Sequence, residues 1–88
     1  MIVVGTSHLA AFGARHPASA GPLRALNALL VHARWDGPDD IARDCGAVMT
    51  RSGDDIVLDL AGAGFRVTIR VNHALGVVRV RRVEELSR

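Results

Sequence analysis

The sequence has no lysine and no tyrosine, a single cysteine, and only three aromatic residues, Phe12, Trp35 and Phe65. Each scarcity excludes something. With Cys45 alone, no internal disulfide can form, and neither a disulfide framework nor a cysteine-rich zinc site is possible. Three aromatics argue against a platform on which nucleic-acid bases stack. No apolar run approaches the ~18 residues of a membrane helix, so no membrane partner is expected. The opening Met1-Ile2-Val3-Val4-Gly5 has no basic region and no long apolar core, so no signal peptide is expected. A reducing, cytoplasmic setting fits these absences.

What is present suits one small domain spanning 1–88. Hydrophobic residues make up 49% and charged residues 23%, which is globular composition and not disorder. The net charge is only +2, yet all eleven basic residues are arginine. Arginine stays charged when partly buried, and its planar fork matches phosphate. Distribution matters more than the sum. Residues 1–44 carry four Arg and four Asp, whereas the stretch from Leu60 to Val83 carries five Arg and no acid. Such a stripe suggests an anionic partner. It also suits strands kept soluble at a sheet edge or face.

Periodicity divides the chain. Ile2–Val4 reads as a short buried strand ended by Gly5. Thr6 or Ser7 is placed to cap a helix running to about Arg15, with Leu9 and Phe12 on one face; His16-Pro17 stops it. Pro22 suits the first turn of a second helix. Its buried stripe is Leu23, Leu26, Leu30 and Ala33, widened by Leu29 and closed by Trp35. Trp35 is expected in the core, its indole bonded to a neighbouring carbonyl. Asp36-Gly37-Pro38-Asp39-Asp40-Ile41 reads as a cap and first helical turn ended by Gly46, with the acids capping and not binding metal. The period then changes to two. Strands are expected at Val48–Arg51, Ile56–Leu60, Phe65–Asn72 and Val77–Val83, joined by Ser52–Asp55, Ala61–Gly64 and His73–Gly76. Helices on one face of a twisted antiparallel sheet, an α+β fold, follow from this order.

The last two strands carry the candidate chemistry. Arg66 and Arg70 share one face of the first, and Arg79 and Arg81 one face of the second. With Phe65, Val67, Ile69, Val71, Val78 and Val80 packed on the helices, four guanidinium groups would meet on the outer face. Alternate residues stand ~6.6–6.8 Å apart along a strand, close to the phosphate spacing of a single strand. By parity Arg82 points the wrong way, so the strand has ended or a bulge lies there. His73, at the turn beside this face, is the one local imidazole suited to proton transfer near neutral pH. It also reads as an exposed turn histidine. His8, His16 and His32 have no ligand spacing and read as surface or half-buried positions.

The order of several motifs resembles the HigB-family toxins of type II toxin–antitoxin systems. The residues are His16-Pro17, Pro22-Leu23-Arg24-Ala25, Ala33-Arg34-Trp35-Asp36 and Pro38-Asp39-Asp40-Ile41. In the second half, Gly62-Ala63-Gly64-Phe65-Arg66-Val67 is similar to the family's Gly-Asn-x-Tyr-Arg-Leu stretch, and Val71-Asn72-His73-Ala74-Leu75-Gly76-Val77-Val78 to its hairpin. The resemblance implies a RelE-like fold, with two N-terminal helices packed on a curved antiparallel sheet. It implies metal-independent, cofactor-free cleavage of mRNA, often on the ribosome, by attack of the ribose 2′-hydroxyl on the adjacent phosphate. It also implies a cognate antitoxin, commonly with a helix-turn-helix domain, and a toxin–antitoxin hetero-oligomer. Arg66 carries over directly from the family motif. The sequence departs from the family in having Arg82-Val83-Glu84-Glu85-Leu86-Ser87-Arg88 where members have a Thr-His-x-x-Tyr-Asp-type segment. It also lacks the family's Lys.

The expected site is therefore Arg66, His73 and Arg79 for catalysis, and Arg66, Arg70, Arg79 and Arg81 for binding RNA. Two other readings stand beside it. One is a non-catalytic module, or inactive toxin relative, that binds an antitoxin-like partner. The other is a structural protein that dimerises by sheet-edge pairing, with the arginines protecting the edge.

Overall fold

The computed structural model describes residues 1–86. The chain forms β1 (Ile2–Val4), α1 (Thr6–Arg15), α2 (Ala20–His32), α3 (Pro38–Cys45), β2 (Met49–Ser52), β3 (Asp55–Leu60), β4 (Phe65–Asn72) and β5 (Val77–Glu85). The last two residues of the expected 1–88 domain lie outside the described residues. The strands make one five-stranded sheet in the order β1-β5-β4-β3-β2. β2 to β5 form an antiparallel meander, whereas β1 runs parallel to β5, with Ile2, Val3 and Val4 beside Val77, Val78 and Arg79. The sheet is thus mixed, and the all-antiparallel expectation is corrected. The physical reason is the route of the chain. Three helices carry it from β1 at one edge to β2 at the other, so the meander returns to β1 in its own direction.

Period-two patterning fixes which face is buried. Ile56, Leu58, Phe65, Val67, Ile69, Val78 and Val80 point to the helices and are buried. They meet Leu9 and Phe12 of α1, Leu23, Leu26 and Leu30 of α2, and Trp35, Ile41 and Cys45. Burying one such aliphatic side chain contributes about 1.5–3 kcal/mol, and Phe65, Val67, Ile69 and Val78 are wholly enclosed. Phe65 also packs on Phe12, with ring centroids 5.7 Å apart.

Several local readings shift. Gly5, not Thr6 or Ser7, stands at the N-cap of α1, with φ of 81°. A Cβ there would lie 2.4 Å from the Val80 carbonyl oxygen, so β5 passes too close for any side chain. A single 3-10 turn over Pro17–Ser19 leads into α2, which starts two residues before Pro22 and ends at His32. Trp35 therefore lies beyond the helix. Leu29 is 40% exposed and does not widen the buried stripe. The Asp36–Ile41 segment belongs to a two-turn helix with Asp39 and Asp40 in its first turn; no side chain caps it at Gly37, and the Asp40 carboxylate accepts the Asp36 N–H, one residue before the cap, at 2.9 Å. Cys45 is buried, and burial pushes its thiol pKa up.

At Arg82 the register resolves the parity conflict. Thr68 pairs with Arg82 but Ile69 pairs with Val80, so Arg81 is the extra residue of a β-bulge. The bulge lets Val83 return to the inner face opposite Val67.

Candidate nucleic-acid interface

The face of the sheet away from the helices is built by register. Arg66, Thr68 and Arg70 alternate along β4. Arg70 stands opposite Arg79, Thr68 opposite Arg82, and Arg66 opposite Glu84. On the other side, Asp59 stands opposite Arg66. One residue beyond the Ile56–Ile69 pair, Asp55 faces Arg70. The face is therefore cationic down β4 and β5 and acidic down β3.

The arginines share the outer face, but Arg66, Arg70 and Arg81 are each paired with a carboxylate on it. Arg66 is bonded to the Asp59 carboxylate, which holds its pKa above the usual arginine value. Arg70 Nε donates to Asp55 Oδ1 at 2.9 Å. Arg81 Nη1 lies 3.7 Å from the same oxygen. Arg82 pairs with Glu84 at 3.2 Å. Arg79 is exposed and forms no ion pair among the described residues. The reason is legible in hindsight. An acid-free stripe that starts at Leu60 stops one residue short of Asp59, and it leaves out the strand whose Asp55 and Asp59 share parity with the arginines.

The arginines also divide into two groups. Arg66 sits toward one end of β4 with Asp59. Arg70, Arg79 and Arg81 gather toward the other end, where Arg70 and Arg81 share one carboxylate, Asp55, and Arg79 stands opposite Arg70. Thr68, between the two groups, is 3% exposed although it faces outward. Its same-face neighbours are Val57 and three arginines, Arg66, Arg70 and Arg82, whose long stems can cover a hydroxyl.

His73 follows β4 directly and is half-buried. Its Nδ1 lies 2.9 Å from the Trp35 carbonyl oxygen. A carbonyl only accepts, so Nδ1 carries the proton, and the neutral ring has its lone pair on Nε2. The ring lines a hollow of about 440 Å³ with Pro38, Ile41, Arg51, Asp55 and Arg70. His73 and Arg70 are thus brought together, while Arg66 lies away from them. Arg51 and Asp55 escaped the sequence reading. The signal was the Ser52-Gly53-Asp54-Asp55 turn, which makes β2 and β3 a hairpin and aims Asp55 at β4.

Trp35, whose carbonyl orients His73, is itself held by a side-chain bond. Its indole N–H donates to Asp44 Oδ2 at 2.8 Å, a carboxylate where a backbone carbonyl was expected. That bond, with a second from Arg43, holds the Asp44 carboxyl below its ordinary range. Of the remaining histidines, His8 and His32 are exposed and His16 stacks on Phe12. Among the described residues, no group of three or more His, Cys, Asp or Glu side chains is placed to hold a metal ion. No helix among them is long and apolar enough to cross a membrane. Compared with protein-family models and with curated proteins, the chain gives no match.

Proposed function

We propose that the chain is a toxin-type RNA-binding protein of the RelE-like kind, which holds an mRNA phosphate at Arg70, Arg79 and Arg81 and cleaves beside it. The observation that carries this reading is the double placement of Arg70. It stands opposite Arg79 on the open face, and it lines the same hollow as His73. Phosphate oxygens take charge-assisted bonds from the guanidinium groups. His73 Nε2 accepts the proton of the 2′-hydroxyl. The 2′-oxygen then bonds to phosphorus and the bond to the 5′-oxygen breaks. The 5′-oxygen takes a proton from water, leaving a 2′,3′-cyclic phosphate and a 5′-hydroxyl. The guanidinium groups stabilise the charge that gathers on the phosphoryl oxygens. The step needs no metal or cofactor, and it belongs in the cytoplasm with translating ribosomes and a cognate antitoxin. Arg66, bonded to Asp59, serves the sheet and not the phosphate.

A second reading is favoured by the carboxylates on the face. Asp55 and Asp59 already occupy Arg70 and Arg66, and no tyrosine exists to assist proton transfer. In that reading the chain is a non-catalytic module that binds RNA or an antitoxin-like partner without cutting.

Expression in a bacterial host, with mapping of RNA 5′ ends, separates the two. Under the first reading the wild type arrests growth and produces new 5′ ends. His73→Ala keeps RNA binding while cleavage falls about 10²- to 10⁴-fold, the usual cost of losing a general base. Arg79→Ala loses both. Harmless accumulation with RNA bound and intact selects the second reading. Purified protein that binds no RNA removes the site altogether.

A further inference from the structure

On the far side of the molecule from the arginine face, α1 and α2 pack side by side and leave a groove of about 630 Å³ between them. One ridge is Thr6, Leu9, Ala10 and Gly13, and the other includes Leu23, Asn27, Ala28 and Val31. Both follow the three–four spacing of a single helix face. The floor is shallow because the residues at the crossing are small. At Gly13 an added Cβ would already touch Leu23 at 3.4 Å. Val31 is 45% exposed although it is apolar. The Asn27 side-chain oxygen is enclosed and has no hydrogen-bond partner, and such a group costs stability until something donates to it.

The charge around this groove has one sign. Arg24 and His32 stand on its rim. From Met1 to Trp35 there is no Asp or Glu, while Arg15, Arg24 and Arg34 and three histidines lie in that span. All nine acids of the chain fall after it. The first third of the protein therefore presents an apolar channel bordered by Arg24 and free of acidic side chains. We propose that this groove docks an amphipathic helix of another protein, apolar along one stripe and acidic on both flanks. The thirteen residues of α2 set its length. At 1.5 Å per residue the channel runs about 20 Å, which takes a helix of three to four turns. A second copy of this chain is a poorer occupant, because its own α1–α2 face is equally free of acid. The inference does not rest on the RNA reading, since none of these residues belongs to the arginine face.

The test uses a labelled 14-residue helical peptide, with Leu at three–four spacing and Glu on the flanks, titrated with the full chain by fluorescence anisotropy. A partner peptide has Lys in place of every Glu. The acidic peptide should bind at least tenfold more tightly, and the difference should shrink as salt rises. Ala28→Glu puts an acid on an exposed helical position in the channel, and Arg24→Glu reverses the rim. Each should weaken the acidic peptide at least tenfold while circular dichroism stays unchanged. Arg79→Ala, on the opposite face, should leave peptide binding as it was. Equal binding of both peptides, or no binding of either, overturns the proposal. So does loss of binding in Arg79→Ala with Ala28→Glu unaffected, which would place the peptide on the arginine face. Self-association of the chain abolished by Ala28→Glu would assign the groove to a second copy and overturn it as well.

Discussion

Asp55 is the residue that should restrain RNA binding, and its removal gives the most informative perturbation. The carboxylate is 23% exposed and serves both Arg70 and Arg81. A phosphate on Arg79 would stand two strands away, about 9–10 Å at the usual strand spacing. At that distance, like charges repel by about 0.4 kcal/mol in bulk water and about 1.7 kcal/mol at the effective dielectric of a protein surface. Asp55→Asn keeps the size and removes the charge. Single-stranded oligoribonucleotide should therefore bind about 2- to 20-fold more tightly at low salt. Near 0.15 M the gain should largely vanish, because the screening length falls to ~8 Å. Released from Asp55, Arg70 neutralises the phosphate more fully, so the slope of log affinity against log salt should steepen, by at most about 0.7. The ion pairs are partly exposed, so the stability change should stay within about 1 kcal/mol. Anisotropy titration over a salt series measures both slope and affinity. Binding that is unchanged or weaker in Asp55→Asn at low salt refutes the assignment of this end of the sheet to phosphate.

Two further outcomes test the fold. Because the folded Asp44 carboxyl titrates below its ordinary value of 3.8, its contribution to stability is present above that pH and is lost as pH falls through the lower folded value. The urea midpoint, followed by the emission of the single tryptophan, should therefore fall less on acidification in Asp44→Asn than in the wild type; parallel curves would contradict the Trp35–Asp44 bond. Gly5→Ala should cost more than about 1–2 kcal/mol, since the left-handed backbone alone costs that much and the new methyl meets the Val80 carbonyl. Gly62→Ala, with open space around it, should change stability by less than about 0.5 kcal/mol. Equal melting temperatures for the two would show that β5 does not press on Gly5.

The elements and the buried face were legible in the residues alone. Alternation in Phe65–Asn72 is a property of the backbone pleat, so it marked β4 to the residue and its inward set without knowledge of the neighbours. The Leu23–Leu26–Leu30 stripe did the same for α2. Edges of elements were less legible, because Gly5 caps α1 for a reason that lies in β5, and Glu84 and Glu85 are strand only because β4 is beside them.

Partner choice was another matter. Nothing local says that β1 lies parallel to β5, since that depends on where three helices return the chain. Arginine counts along the sequence could not show that Asp55 and Asp59 neutralise their cross-strand neighbours, or that Arg81 steps out of register at the bulge. His73 looked like a free turn residue until Trp35, thirty-eight positions earlier, supplied the carbonyl that orients it. Periodicity is written in consecutive residues and survives without the fold. Ion pairing, tautomer choice and strand order depend on contacts between distant segments, and those exist only once the sheet has closed over its core.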